Sequence, residues 1–259
     1  MSGAVERDFC VHIGARAFRL KPGSAIVVEL APSDLVRESL SQEASAPPPV
    51  ALAYLARHGQ TESNLLHRYG GSSSESLTDA GRAEMCGLAA RLGVCGIAEI
   101  RTSEVTRARE SADLIGGVLG VPVRVDVRLN EMRLGPWEGL TEVEIAARFP
   151  EAYAMWHTVP DRLAMDGRET LDELAARVAA AVRDATQRPA PVLLMTHVAP
   201  IRVAVLRTLG LSLALYKHVP VPNGTCVTIH SVQADVHRLG EARSLREELS
   251  LAVPDRSIA

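Results

Sequence analysis

The sequence predicts an α/β protein: a three-layer α/β/α sandwich around a mostly parallel central sheet, with a small β-rich N-terminal extension. Three observations carry that prediction. Short continuous apolar runs alternate with segments of helical spacing from residue 50 onward, the pattern of strands buried on both faces and joined by crossover helices. The chain has 259 residues, 47% of them hydrophobic, and a net charge of −3. It can therefore bury a large core and lacks the polarity of a disordered chain. The triplet Pro47-Pro48-Pro49 continues neither a helix nor a central strand, and it separates the first 48 residues from the rest.

Within residues 1–48, β character appears at 9–13, 17–20 and 25–30, with Lys21-Pro22-Gly23-Ser24 suited to a type II turn. A short helix is expected near 33–41. Such a piece is too small to be stable alone, so it is a candidate for docking on the main body or for a homodimer interface. Residues 49–240 form the expected main domain. Its strands fall at 50–56, 97–101, 121–127, 192–196, 225–231 and 235–239. Its helices fall at 78–92, 104–119, 141–149, 171–186 and 200–209. Gly120 and Pro122 end the second helix, and Thr170 is the expected N-cap of the fourth. The polar residues 241–259 read as a loose tail.

No stretch of about 18 apolar residues occurs, so no membrane span is expected. Residues 1–10 lack the apolar core of a secretion signal, which points to the cytoplasm. Cys10, Cys86, Cys95 and Cys226 include no CxxC pair and read as incidental thiols. Only Lys21 and Lys217 are lysines, and the arginines are scattered. That argues against nucleic acid as a partner, because surfaces that track a phosphate backbone cluster their charge. A small anion held by a few placed arginines fits better. No cluster has metal-ligand spacing, and neither metal nor cofactor is expected.

Two apolar strands end alike: one runs into Arg57-His58-Gly59-Gln60-Thr61, the other into Thr196-His197-Val198. In open α/β sheets ligands sit outside the carboxyl ends of the strands, so the two histidines can face one pocket. A single histidine there reads first as structural. Arg57 beside His58 changes that reading, because a permanently charged fork next to an imidazole, followed by glycine, suits an oxyanion close to the backbone. Arg107 begins another helix that follows a strand, where pocket and surface roles are evenly balanced. The turn-rich loop from Leu129 to Gly139 carries Glu131, Glu138 and Trp137, a composition that supplies either catalytic groups or a plug for the core edge.

These residues resemble the signature of the histidine phosphatase superfamily, the phosphoglycerate mutase-like proteins. Leu55 to Thr61 matches its RHG motif. Arg68-Tyr69-Gly70-Gly71 with Leu77 to Gly81, Ser103 to Arg107-Ala108, Glu131 to Gly139, and Thr196-His197 follow in order. The likeness covers about residues 50–235 and within the superfamily is greatest to actinobacterial acid phosphatase and α-ribazole phosphatase domains. It implies that His58 is a nucleophile forming a phosphohistidine, with its other ring nitrogen donating to a backbone carbonyl. It implies that Arg57, Arg107 and His197 surround the phosphate, and that Glu131 protonates the leaving oxygen. Thr61, Asn64 and the Val198 backbone are further phosphate or pocket contacts.

Val198 stands where many members have glycine, and Ser74-Glu75-Ser76 replaces the more usual Asp-x-Pro. Glu138 is an alternative donor, although a structural role suits it better. Asn223-Gly224-Thr225 reads first as a turn and second as a pocket rim, and His67 is the remaining histidine to watch. The expected function is hydrolysis of a small phosphomonoester. The alternatives are a cofactor-dependent phosphoglycerate mutase and a silent binding protein on the same fold.

Overall fold

The computed structural model describes residues 9–13, 16–20 and 52–252, and the chain divides into two compact units, Met1–Ser45 and Ala46–Ala259. In the first unit β1 (Phe9–Ile13) and β2 (Arg16–Leu20) pair antiparallel, with Phe9 opposite Leu20. The turn, strand and helix expected at 21–41 lie outside the described residues.

The second unit runs β3 (Leu52–Arg57), α1 (Glu62–Leu65), α2 (Asp79–Leu92), β4 (Glu99–Thr102), α3 (Thr106–Leu119), β5 (Val123–Val125), α4 (Glu142–Arg148), α5 (Pro150–Thr158), α6 (Leu171–Thr186), β6 (Val192–Thr196), α7 (Val198–Thr208), β7 (Cys226–His230), β8 (Asp235–Arg238) and α8 (Leu245–Ala252). The strands form a six-stranded sheet in the order β5-β4-β6-β3-β7-β8. The first four are parallel; β7 pairs antiparallel with β3, and β8 antiparallel with β7.

The continuous apolar runs of β3 and β6 are explained by two separate cores. Ala53, Leu55, Val192 and Leu194 pack with α6 and α7 residues such as Leu174, Val178 and Val205. Their neighbours Tyr54, Ala56, Leu193 and Met195 pack with Met85, Leu88, Ala112 and Ile115 of α2 and α3. Successive strand residues point to opposite faces, so a strand covered on both sides needs an apolar residue at every position. This is the expected three-layer sandwich.

Local chemistry sets the helix ends. Thr170 caps α6 through a reciprocal box, its hydroxyl accepting from Glu173 N (3.2 Å) while Glu173 accepts from Thr170 N (2.8 Å). Gly120 ends α3 in the left-handed region at φ 68°. Three expectations need correction. The strand at 121–127 shortens to Val123–Val125, because Asp126 accepts from Arg128 N and starts a 3-10 turn. Helix α7 begins at Val198, not at Pro200, since a proline in the first turn forfeits no intrahelical hydrogen bond. Residues 245–252 are helical, with Leu245 and Leu249 buried in the core, so the segment is not simply a loose tail. Helix α5 had no counterpart in the sequence reading; Pro150 stands at its first turn and starts it directly after α4. Among the described residues no helix is long and apolar enough to cross a membrane.

Candidate active site

Sheet register brings three strand ends to one level. Arg57 lies opposite Thr196, and Thr102 opposite Met195. The residues just beyond continue that lock: His58 N–H donates to Thr196 O (3.0 Å) and Ser103 N–H to Met195 O (3.1 Å). The Gly59 loop then passes against α2 with no room for side chains. A Cβ on Gly59 would overlap the Gly81 carbonyl, and one on Gly81 would overlap that of Gln60. Those two glycines fix the exit of β3, and with it the place of His58.

The His58 and His197 rings lie 5.1 Å apart between centroids, edge to face at 61°. His58 Nδ1 is 2.7 Å from Gly59 O. A carbonyl only accepts, so Nδ1 carries the proton. Arg107 Nε–H donates to His58 Nε2 at 3.2 Å, which requires a bare lone pair on Nε2. The expected tautomer is therefore present. Burial, followed by the Arg107 and Arg57 cations, holds the His58 pKa well below the ordinary imidazole value, against the pull of the Gly59 bond. The ring is neutral and buried, with its free nitrogen facing a guanidinium.

The His197 tautomer follows from hydrogen-bond polarity. Asn130 Nδ2 donates to Glu104 Oε1 (2.6 Å), which fixes the amide, and Asn130 Oδ1 accepts from Glu104 N and from Ser103 Oγ, each at 3.0 Å. Ser103 has one hydroxyl proton, and it is committed there. At 2.8 Å from His197 Nε2, Ser103 Oγ must accept, so Nε2 carries the proton. His197 Nδ1 is buried and without a partner. Burial, then Arg107 and His58, lower the His197 pKa well below the ordinary value.

Arg57 and Arg107 are held by carbonyls rather than carboxylates. Arg57 Nη1 donates to Val221 O (2.7 Å), and Arg107 Nη2 and Nη1 donate to Gly71 O (2.7 Å) and Ser73 O (3.3 Å). Such bonds fix the forks without neutralising them. Burial lowers Arg57 to about 10, so it stays charged near neutral pH. Glu131 is half-buried, and its Oε1 accepts from Met132 N at 2.8 Å. Burial raises its pKa above the usual carboxylate value, outweighing the Met132 bond and the Arg107, Arg57 and Arg177 cations.

Arg57, His58, Arg107 and Glu131 line one cavity of about 980 Å³. Thr61, Asn64 and Val198 line it too, as does His67 at φ 51°; His197 lies behind the wall, fully buried. Thr61 Oγ1 is buried without a partner. Asn64 Oδ1 is already engaged, accepting from Thr61 N (3.1 Å) and Asn223 Nδ2 (2.9 Å). Asn223 is thus both turn and rim. Glu138 is exposed and outside the lining; its carboxylate accepts from Ser72 N (2.5 Å) and Ser72 Oγ (2.7 Å) and braces the 70–72 loop. Sequence reasoning missed Arg177, Glu169 and Asn130, whose contacts join residues far apart in the chain. It also missed Arg202 and Lys217 in the cavity lining; one of only two lysines among so many arginines was the available signal.

The model of the histidine phosphatase superfamily, branch 1, matches residues 53–241. The chain belongs to that superfamily. Glucosyl-3-phosphoglycerate phosphatase of Mycobacterium tuberculosis strain H37Rv is 37% identical over 123 residues, 48% of this chain and 55% of that protein. A probable phosphoglycerate mutase of Escherichia coli O1:K1 is 32% identical over 165 residues, 61% of this chain and 74% of that protein. The chain spans about half the length of the first curated relatives it matches. The solved mycobacterial glucosyl-3-phosphoglycerate phosphatase in complex with VO3 is 31% identical with a TM-score of 0.61, covering 69% of this chain and 90% of that one.

As a member of that superfamily the chain departs from its pattern at two places. Val198 is the first residue of α7, with His197 as N-cap at φ −128°. Among the described non-glycine residues only His67 and Ala234 have positive φ, so nothing here demands glycine after the second histidine. Val198 and Ala199 line the cavity, which places the amino end of α7, favourable to anions, against it. In Ser74-Glu75-Ser76 the Glu75 carboxylate accepts from Ser63 N (2.5 Å) and tethers the two cavity loops.

Proposed function

We propose that the protein is a cytoplasmic phosphomonoester hydrolase that acts on a small phosphorylated metabolite through a phosphohistidine on His58. The observation that carries this reading is the bare Nε2 of a buried, neutral His58, held 3.2 Å from Arg107 Nε. Nε2 attacks phosphorus as the ester P–O bond breaks, and Glu131 gives its proton to the departing alkoxide. Glu131, now a carboxylate, then takes a proton from water as the water oxygen attacks phosphorus and the P–N bond breaks. Arg57 and Arg107 hold the equatorial oxygens, and positioning and charge are what a loose phosphoryl transfer needs. His197 Nδ1 is the ring nitrogen left over for the phosphoryl group, since Nε2–H is committed to Ser103; it donates to a phosphoryl oxygen once it takes up a proton, which the bound dianion favours by offsetting the Arg57 and Arg107 cations.

Three further cations in the cavity lining, Arg68, Arg202 and Lys217, support a narrower substrate class. Arg68 and Lys217 have carboxylates at 3.2 and 3.6 Å (Glu144 and Glu142). Among the described residues Arg202 has none within salt-bridge distance, and its Nε donates to Val219 O at 2.9 Å. An uncompensated, half-buried guanidinium favours a leaving group with its own carboxylate, as in the glyceric ester of the mycobacterial relative's name. The test is phosphate release from phosphoglycerates, phosphosugars, nucleotides and α-ribazole phosphate by the parent and by Arg202→Met. The expected result is hydrolysis best with carboxylated esters, and a roughly tenfold or greater loss in Arg202→Met confined to them. Isomerisation of phosphoglycerate without net phosphate release favours the mutase reading instead.

A further inference from the structure

The loop that carries Glu131 is gripped from behind by a residue outside the cavity. Arg177 lies on α6, and Glu169 just before that helix is almost fully buried. The two form a bidentate pair, Nε to Oε1 at 2.7 Å and Nη2 to Oε2 at 2.8 Å. Arg177 Nη1 donates to Arg128 O (2.8 Å) and Asn130 O (2.7 Å), and Nη2 donates to Glu131 O (3.1 Å). A guanidinium has five N–H donors in a fixed fork, and every one is used. Glu169 completes the grip: Oε2 accepts from Arg133 N (3.2 Å), and its own N–H donates to Arg133 O (2.9 Å).

The same loop also reaches the second histidine. Leu129 O accepts from Thr196 Oγ1 at 2.6 Å, next in sequence to His197. Asn130, whose backbone carbonyl Arg177 holds, accepts the Ser103 hydroxyl hydrogen bond at Oδ1 and thereby makes Ser103 Oγ the acceptor for His197 Nε2–H. Arg177 thus bears on two groups that lie far apart in the chain. A lysine in its place keeps the charge but offers three donors on a point centre. It cannot hold three carbonyls and a carboxylate at once.

We propose that Arg177 is a positioning residue for phosphoryl transfer, setting through one loop both the place of Glu131 and the tautomer of His197. The role rests on the phosphatase reading with Glu131 as proton donor. It predicts a selective defect. Esters with alkyl leaving groups need the Glu131 proton in order to depart, whereas a nitrophenolate leaves without it. Displacing Glu131 by about 1 Å therefore slows the alkyl esters by about 10–100-fold and the aryl phosphorylation step much less.

The experiment compares parent and Arg177→Lys with an alkyl phosphate and with p-nitrophenyl phosphate, following the pre-steady-state burst and thermal melting alongside. The expected result is a fall in alkyl turnover with the aryl burst rate largely kept and KM little changed. Equal loss on both esters, or parent rates on both, overturns the role. Where Arg177→Lys fails to fold, Asn130→Ala supplies the decision, because it leaves the Arg177–Glu169 pair intact and cuts the side-chain links to Ser103 and Glu104. Ser103 is then free to donate to His197 Nε2 and shift the ring proton to Nδ1, so the inhibition constant for inorganic phosphate changes by about tenfold; an unchanged constant overturns the proposal. A parent protein that hydrolyses neither ester and takes up no label removes the phosphatase reading itself, and this role with it.

Discussion

His58→Ala removes turnover of every phosphomonoester, with kcat falling by about four to six orders of magnitude toward the uncatalysed background. The size follows from geometry. Deleting the ring removes the lone pair that Arg107 Nε faces at 3.2 Å, and His197 does not replace it, because its ring is fully buried and lies outside the cavity lining. Binding should survive the change. Arg57 and Arg107 keep their anchors on Val221, Gly71 and Ser73, so the variant still binds orthophosphate by calorimetry while it hydrolyses nothing. Rapid acid-free quenching with labelled substrate traps a phosphoenzyme in the parent and none in the variant. An alanine variant that retained a percent or more of parent activity would falsify the covalent route.

How far this was readable beforehand depended on the range of the interaction concerned. Strands β3 and β6 were legible because burial on both faces demands an unbroken apolar run, and α6 because Thr170, Glu173 and the apolar stripe agree locally. Arg57, His58 and His197 were legible as strand-end groups, and Arg107 became so only with the family likeness. The Arg177–Glu169 clamp was not. Its eight-residue spacing looks like any exposed pair on a helix, and only the carbonyls of a distant loop give it a purpose. Helix α5 was missed for a similar reason: it has one buried residue, Trp156, too little to leave a periodic signal. The fate of 241–259 turned on two leucines, Leu245 and Leu249, that a polar background hid.

Glu131→Gln separates the two carboxylates of the 129–139 loop and assigns a limb of the pH profile. Burial raises the Glu131 pKa, so the acid is protonated at pH values where an ordinary carboxylate is not. It loses its proton as pH rises through that raised value, and hydrolysis of alkyl esters falls with it. The His58 pKa is depressed, so its lone pair is lost only well below pH 6.5. The parent's kcat/KM for an alkyl phosphate therefore has a basic limb belonging to Glu131 and an acid limb displaced downward by His58. In Glu131→Gln the basic limb disappears and alkyl turnover falls by about 10²–10⁴-fold. A nitrophenyl ester still phosphorylates His58, but water now lacks its base, so a burst precedes slow turnover and phosphoenzyme accumulates. Glu138→Gln is expected to change neither the limb nor the burst, because that carboxylate is occupied by Ser72. If Glu138→Gln produced the burst and Glu131→Gln did not, the donor would be the brace of the 70–72 loop. The half-buried Glu131 carboxyl would then have no part in proton transfer.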